Sequence, residues 1–410
     1  MIFSKIIVSE FFLLNRVIKN DIITYVYDKR GGIAVSDLWQ HTWAEVDISA
    51  VEENYFAVRH LLSDSCQLMA VVKADGYGHG AVAVAQRLLS VGADRLAVSN
   101  LNEALQLRKA GITAPILIFS HTPPEAAACL AKQNITQTVI GLEYAHRLEQ
   151  AAAAANVKLK VHIKIDTGMS RVGFVYHDTV RDDEALEDIF HACTLPHLEA
   201  EGCFTHFSVA DEPNGEVATR KQFSLFLTAL EKLEKKGITF SLRHCCNSAA
   251  TLRFSEMHLD MVRPGILLYG VAPSPWMRAL CPLRPALSLK TRVSLVKTVP
   301  AETPVSYGAT FVTQRETKLA TVPIGYGDGL PRVLSKDTVM MIKGQQASLV
   351  GRVCMDQCLL DVTDIEGVEE GNMVTVFGDS PTVDEYAAFA GTISYESLCS
   401  VGKRVPRVML

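Results

Sequence analysis

No Cys-x-x-Cys pair occurs among the ten cysteines of this 410-residue chain. The two closest spacings, adjacent Cys245 and Cys246 and the four-residue step from Cys354 to Cys358, fit neither a zinc ribbon nor a zinc finger. A chain this long and this apolar needs no disulfide framework, so the thiols read as buried and reduced in a cytoplasmic protein. Long hydrophobic runs are missing too, and none approaches the ~18 residues needed to cross a bilayer. Near the N-terminus Glu10 splits the apolar stretch, leaving Phe11 to Leu14 as the longest piece, too short for the core of a signal peptide. Residues 1–40 therefore read as an appended helix or frayed tail, with translated upstream sequence as the alternative. Nor is there a basic excess: 40 Lys and Arg stand against 45 Asp and Glu, a formal net charge of −5. That balance argues against a nucleic-acid partner, which would need a concentrated basic face to neutralise phosphates. Glycine and proline, 26 and 16, are too few for collagen-like or low-complexity sequence.

What is present is a chain 48% hydrophobic and 21% charged, long enough for two or three domains. Between residues 66 and 265 short apolar runs alternate with helical patterns. Strands are expected at 67–72, 95–98, 115–119, 136–140, 159–165, 198–205, 241–245 and 258–262. Helices fill the gaps. In 216–236, Phe223, Phe226, Leu227, Leu230 and Leu233 share one face, with Gly237 placed to end the helix. Another helix is expected over 100–110, with Asn100 as its cap and Gly111 just beyond. Eight strands with helical crossovers over ~200 residues predict an α/β fold, a (β/α)8 TIM barrel, against the rival doubly wound sheet. From about Cys281 the texture changes to short strands at 293–299, 318–324, 339–342, 349–353, 359–362 and 373–377, joined by turns such as Lys343-Gly344-Gln345. This predicts a C-terminal mainly-β domain. Residues 43–48 read as a further strand ahead of the barrel. The expected division is an N-terminal extension, 1–40, a barrel, 41–275, and the β domain, 276–410.

Chemistry-bearing residues collect at the ends of the barrel strands. In AVVKADGYGHG, Ala70 to Gly80, Lys73 closes a buried strand where barrel active sites are built. A lysine desolvated there has a lowered pKa and suits Schiff-base chemistry. KIDTGMSRVGF puts Lys164, Asp166 and Arg171 after the fifth strand. THFSVAD presents His206 after the sixth, and HCCNSAA offers Asn247 and Ser248 after the seventh, at a helix start suited to phosphate. VRPGILLYG follows the eighth with Arg263 and Gly265. Each alone has a structural explanation, such as a snorkelling lysine or a surface ion pair. Five strand ends so equipped point to a site.

These segments, with VSYGATF, IGYGDG, GRVCMDQ and TISYESL in the same order, resemble the alanine racemase family from about Trp43 to the C-terminus. The resemblance implies a barrel plus β domain, pyridoxal 5′-phosphate as cofactor, and a homodimer with shared active sites. It also implies a cytoplasmic isomerase that interconverts L- and D-alanine for peptidoglycan synthesis, with a broad-specificity racemase as the alternative. Residue by residue, it implies that Lys73 holds the cofactor and serves as one proton-transfer base, with Tyr307 as the other on the opposite face of the substrate. A free phenol ionises near pH ~10, so such a base needs neighbours. His206 is the expected partner of Tyr307. Tyr77, Ser248, Gly265, Ile266 and Tyr395 are the implied phosphate ligands. Arg263 is implied opposite the pyridine nitrogen, where it would discourage transamination. Arg171 and the backbone amide of Met355 are implied at the substrate carboxylate. Lys164 is the implied site of carbamylation, and Tyr326 of an entrance gate.

Overall fold

A computed structural model describes residues 41–334 and 337–410, so the expected extension over 1–40 lies outside the described residues. The chain divides into two compact units. The larger comprises Val46–Ser288 and Phe377–Gly402; among the described residues the smaller comprises 41–45, Leu289–Val376 and Lys403–Leu410.

The larger unit is the barrel. Its strands Gln67–Val71, Arg95–Val98, Ile116–Ile118, Ile135–Val139, Leu159–Asp166, Leu198–Phe204 and Leu242–His244 pair in parallel in chain order, and Met261–Val262 pairs back onto the first. The seventh and eighth strands are bridged by Asp260 N–H to Arg243 C=O at 3.2 Å and Arg263 N–H to Cys246 C=O at 3.0 Å. Parallel strands covered by helices are buried on both faces, which is why Leu96, Ala97, Val98, Ile116 and Ile118 are all inaccessible. Each such aliphatic side chain contributes about 1.5–3 kcal/mol by leaving water. The helix after Asn100 runs Leu101–Lys109, with the Asn100 side chain accepting from Glu103 N–H and Gly111 at φ +83° beyond its end.

The Glu216–Lys235 helix forms where expected, but its buried face is turned. Gln222, Leu225, Phe226, Ala229 and Leu233 are covered, while Phe223, Leu227 and Leu230 are only half-buried. Gln222 explains the rotation. Its Oε1 accepts from Ser208 N–H at 3.0 Å and its Nε2 donates to His206 C=O at 3.2 Å, so a polar side chain anchors the inward face to the site loop.

The smaller unit is built on a nine-stranded sheet. Its order is Leu295–Val299, Thr317–Val322, Cys358–Asp361, Gln345–Val350, Val339–Ile342, Met373–Phe377, Leu287–Arg292, Thr42–Val46 and Arg407–Met409. Lys343 and Gly344, both at positive φ, make the two-residue hairpin turn between Ile342 and Gln345. The strand expected at 349–353 stops at Val350. Gly351 sits at φ +71°, and a Cβ there would lie 2.7 Å from the Ser306 Cβ.

The two compact units divide the chain differently from the expected domain limits. Thr42–Val46 is a strand of the β sheet rather than a lead-in to the barrel, because it pairs beside Leu287–Arg292. The boundary expected at 275/276 falls instead at 288/289, and residues 377–402 return to the barrel unit as the helices Val383–Ala390 and Ser394–Ser400.

Candidate active site

A cavity of about 900 Å³ opens at the C-terminal ends of the barrel strands, lined entirely from the larger unit. Lys73, Lys164, Arg171 and Arg263 bring four basic side chains to it, and Asp211 and Glu396 two carboxylates. That imbalance suits an anionic ligand.

Lys73 stands just after the first strand, at the mouth of an unusual turn. Ala74, Asp75, Gly76, Tyr77 and Gly78 run at φ +52°, +53°, +62°, +52° and +82°. A left-handed turn costs about 1–2 kcal/mol for each residue carrying a Cβ. Local bonds offset part of it: Gly76 N–H to Val72 C=O at 2.9 Å, Gly78 N–H to Ala74 C=O at 3.0 Å, and Ala81 N–H to Asp75 Oδ1 at 2.9 Å. Burial, helped by the Arg171 charge, pulls the Lys73 amine below its ordinary range, while Cys399 and Glu103 act the other way. The group is thereby biased toward the neutral, nucleophilic form.

The same turn delivers Tyr77 to the lining of the cavity. Its ring centroid lies 6.1 Å from that of Tyr395 and 4.9 Å from that of Tyr269. The Gly265 N–H donates to Ser248 Oγ at 2.9 Å, and a Cβ on Gly265 would come within 2.4 Å of the Tyr77 hydroxyl. Ile266 is fully buried and opens the next short helix. Tyr77, Ser248, Gly265 and Tyr395 line the cavity, so the structure gathers them as expected, with Ile266 adjoining. Two hydroxyl-bearing rings, a serine and a glycine too crowded for any side chain form a cradle that fits a phosphate. Pyridoxal 5′-phosphate also needs an amine, and Lys73 lines the same cavity.

Arg263 is buried and held from behind. Its Nη1 donates to His244 Nδ1 at 2.9 Å; its Nη2 reaches Thr205 C=O at 2.9 Å, His206 Nδ1 at 3.2 Å and Cys245 C=O at 3.2 Å. Burial lowers the guanidinium only to about 10, so it stays a cation at neutral pH. Burial and the Arg263 charge push His244 and His206 well below the usual histidine range, so both accept from Arg263 as neutral rings. The chain of contacts continues inward: His244 Nε2 to His162 Nδ1 at 2.9 Å, His162 Nε2 to Glu201 Oε1 at 3.3 Å, and Glu201 Oε1 to Arg95 at 3.0 Å. Sequence reasoning missed this core relay. Its signal was present in LKVHIKID, where Lys160, His162 and Lys164 alternate with apolar residues and so share the inner face of one strand.

Lys164 lies 3% exposed, its Nζ donating to Ile165 C=O at 2.8 Å and standing 5.6 Å from the Phe204 ring. Burial, reinforced by Arg263 and Arg171 and opposed by Asp166, brings the amine down to about 7. Among the described residues no carboxylate closes an ion pair with it. Asp166 is engaged elsewhere, accepting from the N–H groups of Gly168, Met169, Ser170 and Arg171 at 2.9–3.1 Å and from His177 Nε2 at 3.2 Å. Burial works against its charge, but those donors outweigh it and hold the carboxyl at about 2. The loop that presents Arg171 is thus wrapped around one ionised side chain.

Tyr307, Tyr326 and Met355 lie on the smaller unit, where three turns are stapled together. Ser306 Oγ donates to Arg352 C=O at 2.7 Å, Tyr326 N–H to Cys354 C=O at 3.1 Å, and Gly327 N–H to Met355 C=O at 2.9 Å. Arg404 locks them with contacts to Asp328 at 2.7 Å and Asp356 at 2.7 Å. Tyr307 is 71% exposed, Met355 54% and Tyr326 43%, an unusual display of large side chains on well-tied turns.

Comparison with known proteins agrees with this geometry. Residues 46–273 match the model of the alanine racemase N-terminal domain, and residues 286–409 that of the C-terminal domain. The chain is 45% identical over 370 residues to the alanine racemase of Desulforamulus reducens, covering 90% of this chain and 98% of that protein. It is 46% identical over 368 residues to that of Desulfovibrio desulfuricans, covering 89% and 97%. Among solved structures, alanine racemase from Bacillus anthracis with bound L-Ala-P superposes with a TM-score of 0.85 at 37% identity, covering 91% and 95%. The enzyme from D-cycloserine-producing Streptomyces lavendulae gives 0.85 at 38% identity, covering 90% and 97%. Motifs, fold, site and relatives agree, and the chain belongs to the alanine racemase family.

Proposed function

We propose that this chain interconverts L- and D-alanine by moving the α-proton between two bases, in a site completed by a second copy of the chain. The observation that carries the reading is the cavity itself, which holds a desolvated Lys73, the Tyr77–Ser248–Gly265–Tyr395 cradle and the buried Arg263 together. Pyridoxal 5′-phosphate, the cofactor of this family, supplies when bound an electron-withdrawing ring that acidifies the α-carbon of an amino acid.

Lys73 would hold that cofactor through Nζ and would move the α-proton on one face of the substrate. Tyr307 moves it on the other through Oη. Opposed placement is what inversion demands, since the proton must leave one face and return to the other. Arg263 would donate toward the ring nitrogen, and its ties to His244, His206, Thr205 and Cys245 hold it as a charged donor. An arginine in that place moderates charge withdrawal and holds transamination down. Arg171 faces the substrate carboxylate, together with the backbone N–H of Met355. Lys164, with its amine near neutrality, takes up carbon dioxide as a carbamate whose anion orients Arg171.

The exposed Tyr307, Met355 and Tyr326 support a homodimer in which the β unit of one protomer completes the barrel site of the other. His206, accepting from Arg263 at Nδ1, carries its proton on Nε2 and offers it to the partner's Tyr307. Tyr326 lines the way in. All ten cysteines are free, which supports a reducing, cytoplasmic setting. Among the described residues no helix is long and apolar enough to cross a membrane.

The test is direct. Purified protein with cofactor and L-alanine in heavy water should lose its circular dichroism signal while deuterium enters Cα. A panel of other L-amino acids should give far slower exchange, and comparable rates across the panel would favour a broad-specificity racemase instead. No exchange with alanine overturns the assignment.

A further inference from the structure

The left-handed turn behind Lys73 has an anchor outside itself. Glu103 stands in the first turn of the Leu101–Lys109 helix, and its own N–H donates to the cap residue Asn100 at 3.1 Å. Its carboxylate reaches elsewhere: Oε1 accepts from Ala74 N–H at 2.8 Å and Oε2 from Ser99 N–H at 2.7 Å. Ala74 is the first left-handed residue of the turn, and Ser99 follows the second barrel strand. Both line the cavity beside Lys73. One carboxylate thus joins the ends of two neighbouring strands, one of them directly beside the amine.

We propose that Glu103 is a positioning residue for Lys73, pinning the left-handed turn at its first residue and setting a negative charge near Nζ. The inference rests on the reading of Lys73 as the cofactor-bearing lysine. Two acceptor oxygens are required, because an amide offers only one and would turn its donors against the other N–H. The charges that act on Nζ come from Arg171 on the loop after the fifth strand, Cys399 on the Ser394–Ser400 helix, and Glu103. Nζ in turn acts on His206 across the cavity. Of these Glu103 is the carboxylate, and it opposes Arg171. Its charge favours a protonated Nζ.

Three variants separate this role from ordinary helix capping. Glu103→Gln keeps the size and removes the charge, Glu103→Asp keeps the charge and shortens the reach, and Asn100→Ala weakens the helix cap but spares the clamp. Each holoenzyme is followed by the rate at which hydroxylamine strips the cofactor and by the pH midpoint of the bound cofactor's absorbance. Glu103→Gln should lose cofactor about tenfold faster, as expected for a misplaced reacting group, with its midpoint moved to lower pH. Glu103→Asp should lose cofactor faster with a smaller midpoint change. Asn100→Ala should lower the melting temperature and leave both readouts alone. If either Glu103 variant matches Asn100→Ala in both readouts, the positioning role is overturned. Borohydride reduction of the wild-type holoenzyme keeps the two readings apart, since cofactor found on another lysine refutes the role of Lys73 itself.

Discussion

Lys164 and Asp166 sit two residues apart on one strand, yet burial treats them in opposite ways. Asp166 has five donors and stays ionised, whereas the Lys164 amine has one carbonyl to donate to and falls to about 7. An amine with an ordinary value of 10.5 and a folded value near 7 binds fewer protons in the folded protein than in the unfolded chain across that window. Its burden on stability is therefore full below pH 7 and eases as the pH rises toward 10.5. The neutral amine is also the form that adds carbon dioxide, forming an N–C bond and releasing one proton. Protein equilibrated with 13C-bicarbonate should accordingly show a carbamate carbon resonance that grows as pH rises through about 7. Lys164→Ala should lack it, lose activity and regain part with small carboxylates. A wild-type spectrum without that resonance in mild alkali contradicts the modification. At Lys73, borohydride reduction should fix the cofactor to the peptide containing that residue and to no other. Tyr307→Phe should slow racemisation by about 10²–10⁴-fold, the usual range for one positioned proton-transfer group. Near-normal turnover in that variant excludes Tyr307 as a base.

The elements that carry these residues were legible to different depths. Buried parallel strands announce themselves as short unbroken apolar runs, so the eight barrel strands lie within a few residues of where the sequence placed them. The left-handed turn after Lys73 was not visible, because Ala74 and Tyr77 carry no intrinsic preference for positive φ, Asp75 has only a weak one, and all three take it under tertiary constraint. The face of the Glu216–Lys235 helix was misread because apolar periodicity gives no weight to Gln222, which spends its amide on the loop holding His206 and Ser208. The members of the cradle, in four separate segments, were named through the family resemblance, but its tightness belongs to the fold. Gly265 shows this best. Gly265→Ala would drive a methyl group into the Tyr77 hydroxyl, so cofactor affinity should fall by at least about tenfold, the equivalent of about 1.4 kcal/mol. Isothermal titration of cofactor into the stripped variant measures this, and unchanged affinity means that Tyr77 does not define the phosphate end.

At the scale of the whole molecule, the reading depends on two chains. Residues 377–402 were expected in the β domain but return to the barrel unit, and with them comes Tyr395. A linear sequence of mostly short strands gave no warning of that return. Tyr307 and Met355 stay on the β unit, exposed, on turns stapled by Ser306 and Arg404. If Lys73 of one copy pairs with Tyr307 of another, as proposed, association becomes part of catalysis, and subunit mixing tests it. Lys73→Ala and Tyr307→Ala proteins, each inactive, are dissociated, combined in equal amounts and reassociated. With sites shared across a two-fold interface, a mixed dimer places both lesions in one site and neither in the other. Half of randomly paired dimers are mixed and each has one sound site of two, so activity should return to about a quarter of wild type. If subunit exchange is verified by mass and the mixture stays silent, both residues act from one chain, and the shared site is contradicted.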